Sequence, residues 1–327
     1  MLRYFCASQG YIAHQDFADA SYMRKVNQLR EGLKQVKDYT APYPLNNMPL
    51  FNKLEIETVN RCNGQCAFCP VNRQEKQRPL ARMSEELFYS VISQLRELNY
   101  AGNIQLFSNN EPFLDRRINT FIRHAKSALP LSFLQMMSNG TLLTLDKFKD
   151  CIGFLDSLII DNYSADYEFH PHVKSIYEYC LQNEELQKKV KICKRTPDEV
   201  LHSRGGQSPN HEKVEVIGGS CIYPFNQMVI RPTGQASLCC NDALGEVTLG
   251  DVSRRHIAEV WNGPEYVAIR EKILRGRQHI RQCSSCTNML PFFVPPGHHV
   301  DEYIPDGHFL MTGKLRVLPS SSWGKKN

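Results

Sequence analysis

Cys62, Cys66 and Cys69 fall within eight residues, spaced C-x3-C-x2-C. Soft thiolates at that spacing suit an iron–sulfur cluster. A cube of four irons held by three thiolates leaves one iron without a protein ligand. Such an open corner can take a small molecule, as an open zinc site takes water. The rival reading is a zinc knuckle or a buried thiol group, but zinc wants a fourth ligand close by and none follows at the usual spacing. A second set stands downstream: Cys221, Cys239, Cys240 and the C-x2-C pair Cys283 and Cys286. Met228 to Pro232 and Gln235 to Cys239 flank Thr233-Gly234, a hairpin signal that brings Cys221 and Cys239 towards one end. Four thiolates from a hairpin and a distant pair would fill either a second cluster or one zinc site.

Other polar residues gather where strands should end. Ser108-Asn109-Asn110-Glu111-Pro112 follows one predicted strand, and Glu111, when ionised, is a pure acceptor suited to an ammonium group. Ser138-Asn139-Gly140-Thr141 follows another and is by itself a common turn. Asp161-Asn162-Tyr163-Ser164 either faces a binding space or starts a solvated loop. Arg195 could grip a carboxylate with two parallel hydrogen bonds. Arg204-Gly205-Gly206 either lets backbone approach a ligand or is a surface linker. The basic residues Arg254, Arg255, Arg270, Lys272, Arg275, Arg277 and Arg281 read mainly as a solvated face, with a subset available to a negatively charged cluster or a phosphate. His298, His299 and His308 read as surface residues rather than metal ligands.

The elements that must position these groups alternate. Lys53 to Val59 is predicted as the first strand, delivering the cysteine loop at its C-terminal end. Ser84-Glu85-Glu86 caps a helix to about Asn99. Strands are expected at Ile104 to Phe107, Leu131 to Met137, Asp156 to Ile160 and Val190 to Cys193. Helices are expected at Arg116 to Ala128, Thr144 to Cys151 and Pro171 to Gln187. Strand–helix alternation implies a parallel sheet with right-handed crossovers. The chain is too short for eight such units, so an open, partial barrel is expected. Glu259 to Asn262 and Tyr266 to Leu274 read as helical. The expected organisation is a helix and linker over 1–52, the barrel over 53–210, a cluster domain over 211–290 and a tail over 291–327. Asp16 to Lys37 is expected to be an amphipathic helix.

Bulk properties narrow the class. The chain has 327 residues, 42% of them hydrophobic, which fits one large domain or one large and one small. A net charge of +5 is mild and does not demand nucleic acid, and aromatics are not interleaved with the basic residues as base stacking requires. Neither a secretory segment nor a run of ~20 apolar residues is present, so no membrane association is expected. Twelve cysteines in tight pairs and triples point to reduced, metal-bound thiols in a cytoplasm.

The first cysteine triplet, with Phe68 before its last member, resembles the signature of the radical S-adenosylmethionine superfamily. The order Cys221, hairpin, Cys239-Cys240-Asn241-Asp242, Gly250-Asp251-Val252, Trp261-Asn262 and Cys283-x2-Cys286 resembles the Twitch variant of the SPASM extension. The resemblance covers roughly residues 53–286. It implies a partial (β/α)6 TIM-like barrel followed by a small Twitch-type β-hairpin and helix domain. It implies two 4Fe-4S clusters, one on Cys62, Cys66 and Cys69 and one on Cys221, Cys239, Cys283 and Cys286, with Cys240 spare. It implies S-adenosylmethionine bound near Phe68, Asn109, Asn110, Glu111, Ser138, Asn139 and Arg195. The family usually carries Gly-Gly-Glu-Pro where this chain has Asn109-Asn110-Glu111-Pro112; asparagine is the next best residue at positive φ, so the turn can survive.

In that family the reduced cluster cleaves S-adenosylmethionine to a 5′-deoxyadenosyl radical, which abstracts hydrogen. The layout is most similar to Twitch members that oxidise an aminocyclitol alcohol, with the auxiliary cluster taking the leftover electron. The expected partners are a sugar- or cyclitol-like, possibly anionic small molecule and a reductant such as flavodoxin or ferredoxin. Arg204 and Tyr163 are the expected substrate contacts. The alternatives are an epimerase in which Cys240 returns the hydrogen, a peptide-modifying enzyme, and a zinc-bound interaction protein.

Overall fold

The computed structural model describes residues 40–73, 78–211, 216 and 219–288. The expected N-terminal helix at 16–37 and the three histidines of the tail lie outside the described residues. Eight strands form one sheet in the order β5-β4-β3-β2-β1-β6-β7-β8. They are β1 Lys53–Ile56, β2 Asn103–Gln105, β3 Phe133–Ser138, β4 Ser157–Tyr163, β5 Val190–Arg195, β6 Gln227–Ile230, β7 Gln235–Ser237 and β8 Thr248–Asp251. All neighbours from β5 across to β6 are parallel, while β7 and β8 add on antiparallel. Six parallel strands make the partial barrel; the sheet runs on through the β6–β7 hairpin without a break.

Helices cover the outside. They are α1 Glu85–Glu97, α2 Ile118–Ala128, α3 Leu145–Ile152, α4 Pro171–Leu181 and α5 Glu184–Lys189. Ser84 caps α1 by accepting from Leu87 N–H, and Thr144 caps α3 in the same way through Lys147. The single helix expected over Pro171 to Gln187 is two. Asn183 accepts from the N–H groups of both Glu185 and Leu186, so it starts a second helix instead of continuing the first.

The alternation of side chains along the strands decides what each face does. Leu54, Ile104 and Leu134 are register partners and belong to the apolar core beneath the helices. One residue along, Glu55, Gln105, Gln135 and Ser157 are register partners on the opposite, inner face. These polar residues are buried and bonded to one another: Gln105 donates to Gln135, and Gln227 donates to Glu55 at 2.7 Å. The barrel is therefore lined by hydrogen-bonding groups, unlike a lumen packed with branched apolar side chains.

The C-terminal segment clasps the barrel. After α6 Tyr223–Asn226 and the hairpin come α7 Ile257–Trp261, α8 Pro264–Arg275 and α9 Arg281–Ser284. Trp261 is fully buried, packs edge-on against Phe51 at 5.2 Å and donates from its indole to Pro49 O at 2.8 Å. Asn262 accepts from Met48 N–H at 2.9 Å. The Trp-Asn pair thus ties the helical segment after β8 to the segment that enters β1.

Candidate active site

The loops that line the cleft leave the C-terminal ends of parallel strands, the end where barrels of this type place their chemistry. The cysteine loop follows β1 and is closed by Asn72, a residue the sequence reading passed over. Asn72 sits in the left-handed region at φ 68°. From there its amide donates to the carbonyls of Cys62 and Gly64. Arg73 ties the other end, with Nε on Cys69 O at 3.0 Å and Nη2 on Cys66 O at 3.1 Å. Gly64 N–H and Asn139 Nδ2 reach Cys62 Sγ at 3.3 Å and 3.7 Å. Burial is the main cause that pushes the Cys62 and Cys66 thiols up to about 12. Uncompensated, they keep their protons at neutral pH, and an iron that binds them must displace those protons.

The three thiols open onto a cleft holding about 640 Å3 of empty space, its mouth included. Phe68, Tyr163 and Arg204 line it, with Asn109, Asn110 and Glu111 from the loop after β2 and Ser138 and Asn139 from the loop after β3. The two asparagines work differently from the expectation. Neither adopts a positive φ. They serve through their side chains: Asn110 Oδ1 accepts from Ser108 N–H at 2.9 Å, while Asn109 Nδ2 donates to Cys240 O at 3.1 Å. Beneath them a buried ion pair fixes the loop. Arg78 Nη2 reaches both oxygens of Glu57 at 2.6 and 2.7 Å, its Nη1 donates to Asn109 O at 2.9 Å, and Glu57 accepts from Asn109 N–H at 2.8 Å.

Glu111 joins two loops. Oε1 accepts from Phe113 N–H and the Ser138 hydroxyl, and Oε2 from Asn139 N–H at 2.8 Å. A carboxylate has about four acceptor positions, so one on Oε2 is left for a cation. Burial raises Glu111 from an ordinary 4.5 to about 7, against the pull of those three donors. Gly140, after Asn139, has φ 77°, and a side chain there would run into Val173 and Ile160 at 2.4 and 2.8 Å. The turn therefore admits glycine alone.

Arg195 is already engaged. Its guanidinium bonds Glu199 from both Nε and Nη2, and Asp161 from Nη1 at 3.3 Å, while packing 5.0 Å from the Tyr163 ring. It does not line the cleft. The geometry makes it a holder of the two acids and of the Tyr163 ring rather than an arm extended to a carboxylate.

The second cysteine set divides. Burial raises Cys221, Cys239 and Cys283, and the neighbouring thiols of the set raise Cys239 and Cys283 further. Cys240 turns to the barrel. Burial pushes it up to about 12, Glu55 adds to that, and Lys53 and Arg204 oppose it. Asp242 orders the loop between the two groups by accepting from the N–H groups of Glu246 and Val247.

The fit of these residues to the implied cofactors can be tested. Among the described residues no three Cys, His, Asp or Glu side chains converge tightly enough for one metal ion. A 4Fe-4S cube takes three or four soft thiolates, and both sets supply them. In the cleft two buried donors, Asn110 Nδ2 and Arg204 Nε, have no partner among the described residues. Buried donors demand acceptors, and a nucleotide bearing a carboxylate and hydroxyls supplies them.

Comparison with known proteins agrees with this architecture. Residues 56–201 match the radical SAM superfamily, and residues 221–287 match the SPASM iron–sulfur cluster-binding domain. Residues 56–201 thus carry a radical S-adenosylmethionine domain and residues 221–287 a SPASM-type domain; together they imply an oxidoreductase whose cofactors are S-adenosylmethionine and 4Fe-4S clusters. It is 25% identical over 243 residues to the S-adenosyl-L-methionine-dependent 2-deoxy-scyllo-inosamine dehydrogenase of Niallia circulans, which spans 73% of this chain and 94% of the relative. Its fold is similar to that of BtrN in complex with AdoMet and 2-DOIA, with a TM-score of 0.65 at 23% identity over 79% of this chain and 100% of that one. It is also similar to selenomethionine BtrN in an open conformation, with a TM-score of 0.55 at 20% identity over 73% of this chain and 94% of that one. Among the described residues no helix is long and apolar enough to cross a membrane.

Proposed function

We propose that this protein dehydrogenates a secondary alcohol on a cyclitol or sugar ring. When bound, S-adenosylmethionine and the cluster held by Cys62, Cys66 and Cys69 would supply a 5′-deoxyadenosyl radical to take the carbinol hydrogen, the hydroxyl proton would pass to a base or solvent, and the cluster held by Cys221, Cys239, Cys283 and Cys286 would take the remaining electron. The observation that carries this reading is a short bridge. Arg204 lines the cleft and donates to Asn109 and, at 3.2 Å, to the carbonyl of Cys240, next to Cys239. One side chain spans the distance from the cofactor loop to the residue beside an auxiliary ligand, so a substrate at Arg204 has an electron acceptor close by. The inner face of the sheet carries the buried polar residues Glu55, Gln105 and Gln135 in place of apolar ones, a polar barrel interior that suits a hydroxylated ring better than an apolar substrate. The inosamine dehydrogenase relative supports the choice of a ring alcohol. Arg204 and Tyr163 hold the substrate, and Phe68 lies against the Tyr163 ring at 5.7 Å. A flavodoxin or ferredoxin in the cytoplasm supplies the reducing electron.

The test is an anaerobic incubation of the reconstituted, reduced protein with S-adenosylmethionine and a panel of cyclitols and sugars that includes 2-deoxy-scyllo-inosamine. The expected product has lost two hydrogens, with one 5′-deoxyadenosine formed per turnover. Cleavage of S-adenosylmethionine with no such mass loss from any ring alcohol would end this reading.

Glu111 holds the ammonium group of S-adenosylmethionine through its free acceptor position. Only the ionised acid does so, and ionisation is half complete at about pH 7. Affinity should therefore fall by about tenfold per pH unit below that point and level off above it. Equilibrium dialysis of cluster-loaded protein between pH 5.5 and 8.5 measures this, and Glu111→Gln should flatten the profile. The same titration acts on stability with a definite sign. The folded-state value lies above the unfolded one, so stability falls as pH rises from 4.5 to about 7.

An epimerase is the second reading, favoured by the Cys240 thiol, which adjoins Cys239 and also feels the Glu55 and Lys53 charges of the barrel lining. Cys240→Ala should leave dehydrogenation within about threefold of the parent, since the substitution removes one thiol and little packing. Loss of all turnover in that variant, with solvent deuterium in the product of the parent, would establish the epimerase instead.

A further inference from the structure

Arg277 is 3% exposed. A buried guanidinium is costly unless an opposite charge offsets it. Among the described residues no carboxylate pairs with it. Its side chain bonds carbonyls instead: Nη1 donates to Asn288 O at 3.0 Å and Nη2 to Cys286 O. Its own N–H donates to Gly219 O at 2.9 Å, two residues before Cys221. The residue stands in the 3-10 turn Arg277–His279 that leads from α8 into α9, and α9 carries Cys283. It therefore touches two of the three thiol-bearing stretches that converge on this site, the one that carries Cys221 and the one that carries Cys283 and Cys286. Burial works against its charge, while Cys286, Cys221, Cys283 and Cys239 favour it. Its basic neighbours differ: Arg275 and Arg281 are exposed, and Arg270 stacks on Trp261 at 4.2 Å.

We propose that Arg277 is the fixed counter-charge of the auxiliary cluster, set against four thiolates to raise its reduction potential and so make it an electron acceptor. The reasoning is electrostatic. A cluster held by four thiolates gains a further negative charge on reduction, and a buried cation favours the more negative state; net charge and hydrogen bonding around the sulfurs are known determinants of cluster potential. Low dielectric strengthens the effect because water cannot screen the pair. Arg277 is a positioning and tuning residue here, since it acts through the cluster. The inference rests on the reading that the second cluster takes the substrate electron.

The experiment is a potentiometric titration of the full-length protein with both clusters, followed by electron paramagnetic resonance without substrate. The first cluster is distinguished by the change in its signal when S-adenosylmethionine is added. Arg277→Gln should move the midpoint of the second signal to a more negative potential, with iron and sulfide content unchanged. Arg277→Lys keeps the charge and should stay near the parent midpoint, and exposed Arg281→Gln should not move it. An unchanged midpoint in Arg277→Gln, or an equal shift in Arg277→Lys, would overturn the proposal. If Arg277→Gln holds no second cluster, Arg277→Lys decides: a retained cluster at the parent midpoint supports a charge role, and loss of the cluster there too refutes it. Because no substrate is present, failure of the alcohol reading leaves this result standing; absence of any second signal from the unsubstituted protein sinks both.

Discussion

Cys66→Ala is expected to abolish 5′-deoxyadenosine formation and to lower bound iron from about eight to about four atoms per chain. With one of three thiolates gone, the open-cornered cluster has only two protein ligands. The loop itself should persist, because Asn72 and Arg73 close it through backbone carbonyls and not through the thiol. The apo variant should thus unfold at nearly the parent urea concentration, which separates loss of the cluster from loss of the fold. Cys283→Ala gives the complementary result: the same drop in iron, but S-adenosylmethionine still cleaved and no ring alcohol oxidised. Equal iron content in Cys66→Ala and parent would show that this thiol is not a ligand.

Arg78→Ala carries the largest expected loss of stability. Arg78 and Glu57 are both buried and bonded through both carboxylate oxygens, and each also holds the backbone of Asn109. Removing the arginine strands a carboxylate inside the barrel, which costs about 3–5 kcal/mol where such pairs have been broken. The double variant Arg78→Met with Glu57→Gln removes both charges and should recover a large part of that loss. Urea unfolding of the apo proteins gives the comparison. A single variant within about 0.5 kcal/mol of the parent would mean that the pair contributes nothing.

Much of the barrel was legible because its strands carry a strong alternating or β-branched pattern and its helices are capped by Ser84 and Thr144. The cysteine sets were legible because spacing alone constrains what thiolates can hold. The loops were less so. Asn109 and Asn110 read as substitutes for glycine, whereas their side-chain amides do the work, and no local signal separates a residue chosen for φ from one chosen for its hydrogen bonds. Asn72 was missed for the converse reason: it uses both, in a stretch without any turn signature. Arg195 looked free because its partners lie 34 residues upstream and four downstream, at Asp161 and Glu199. The break at Asn183 was hidden by a helical pattern that continues on both sides. Arg277 stood among seven basic residues of similar appearance; burial sets it and Arg270 apart from the rest, and the bond to the Cys286 carbonyl distinguishes Arg277 from Arg270.

We propose that the cleft at the Cys62–Cys69 loop activates S-adenosylmethionine through an iron that no side chain occupies. The most direct test is quantification of 5′-deoxyadenosine and methionine after anaerobic reconstitution and dithionite reduction, with S-adenosylmethionine as the sole addition. Equal amounts of both products, absent from the Cys62→Ala, Cys66→Ala and Cys69→Ala variants, are expected. Fully loaded protein that releases neither product, with or without a ring alcohol, would contradict the account.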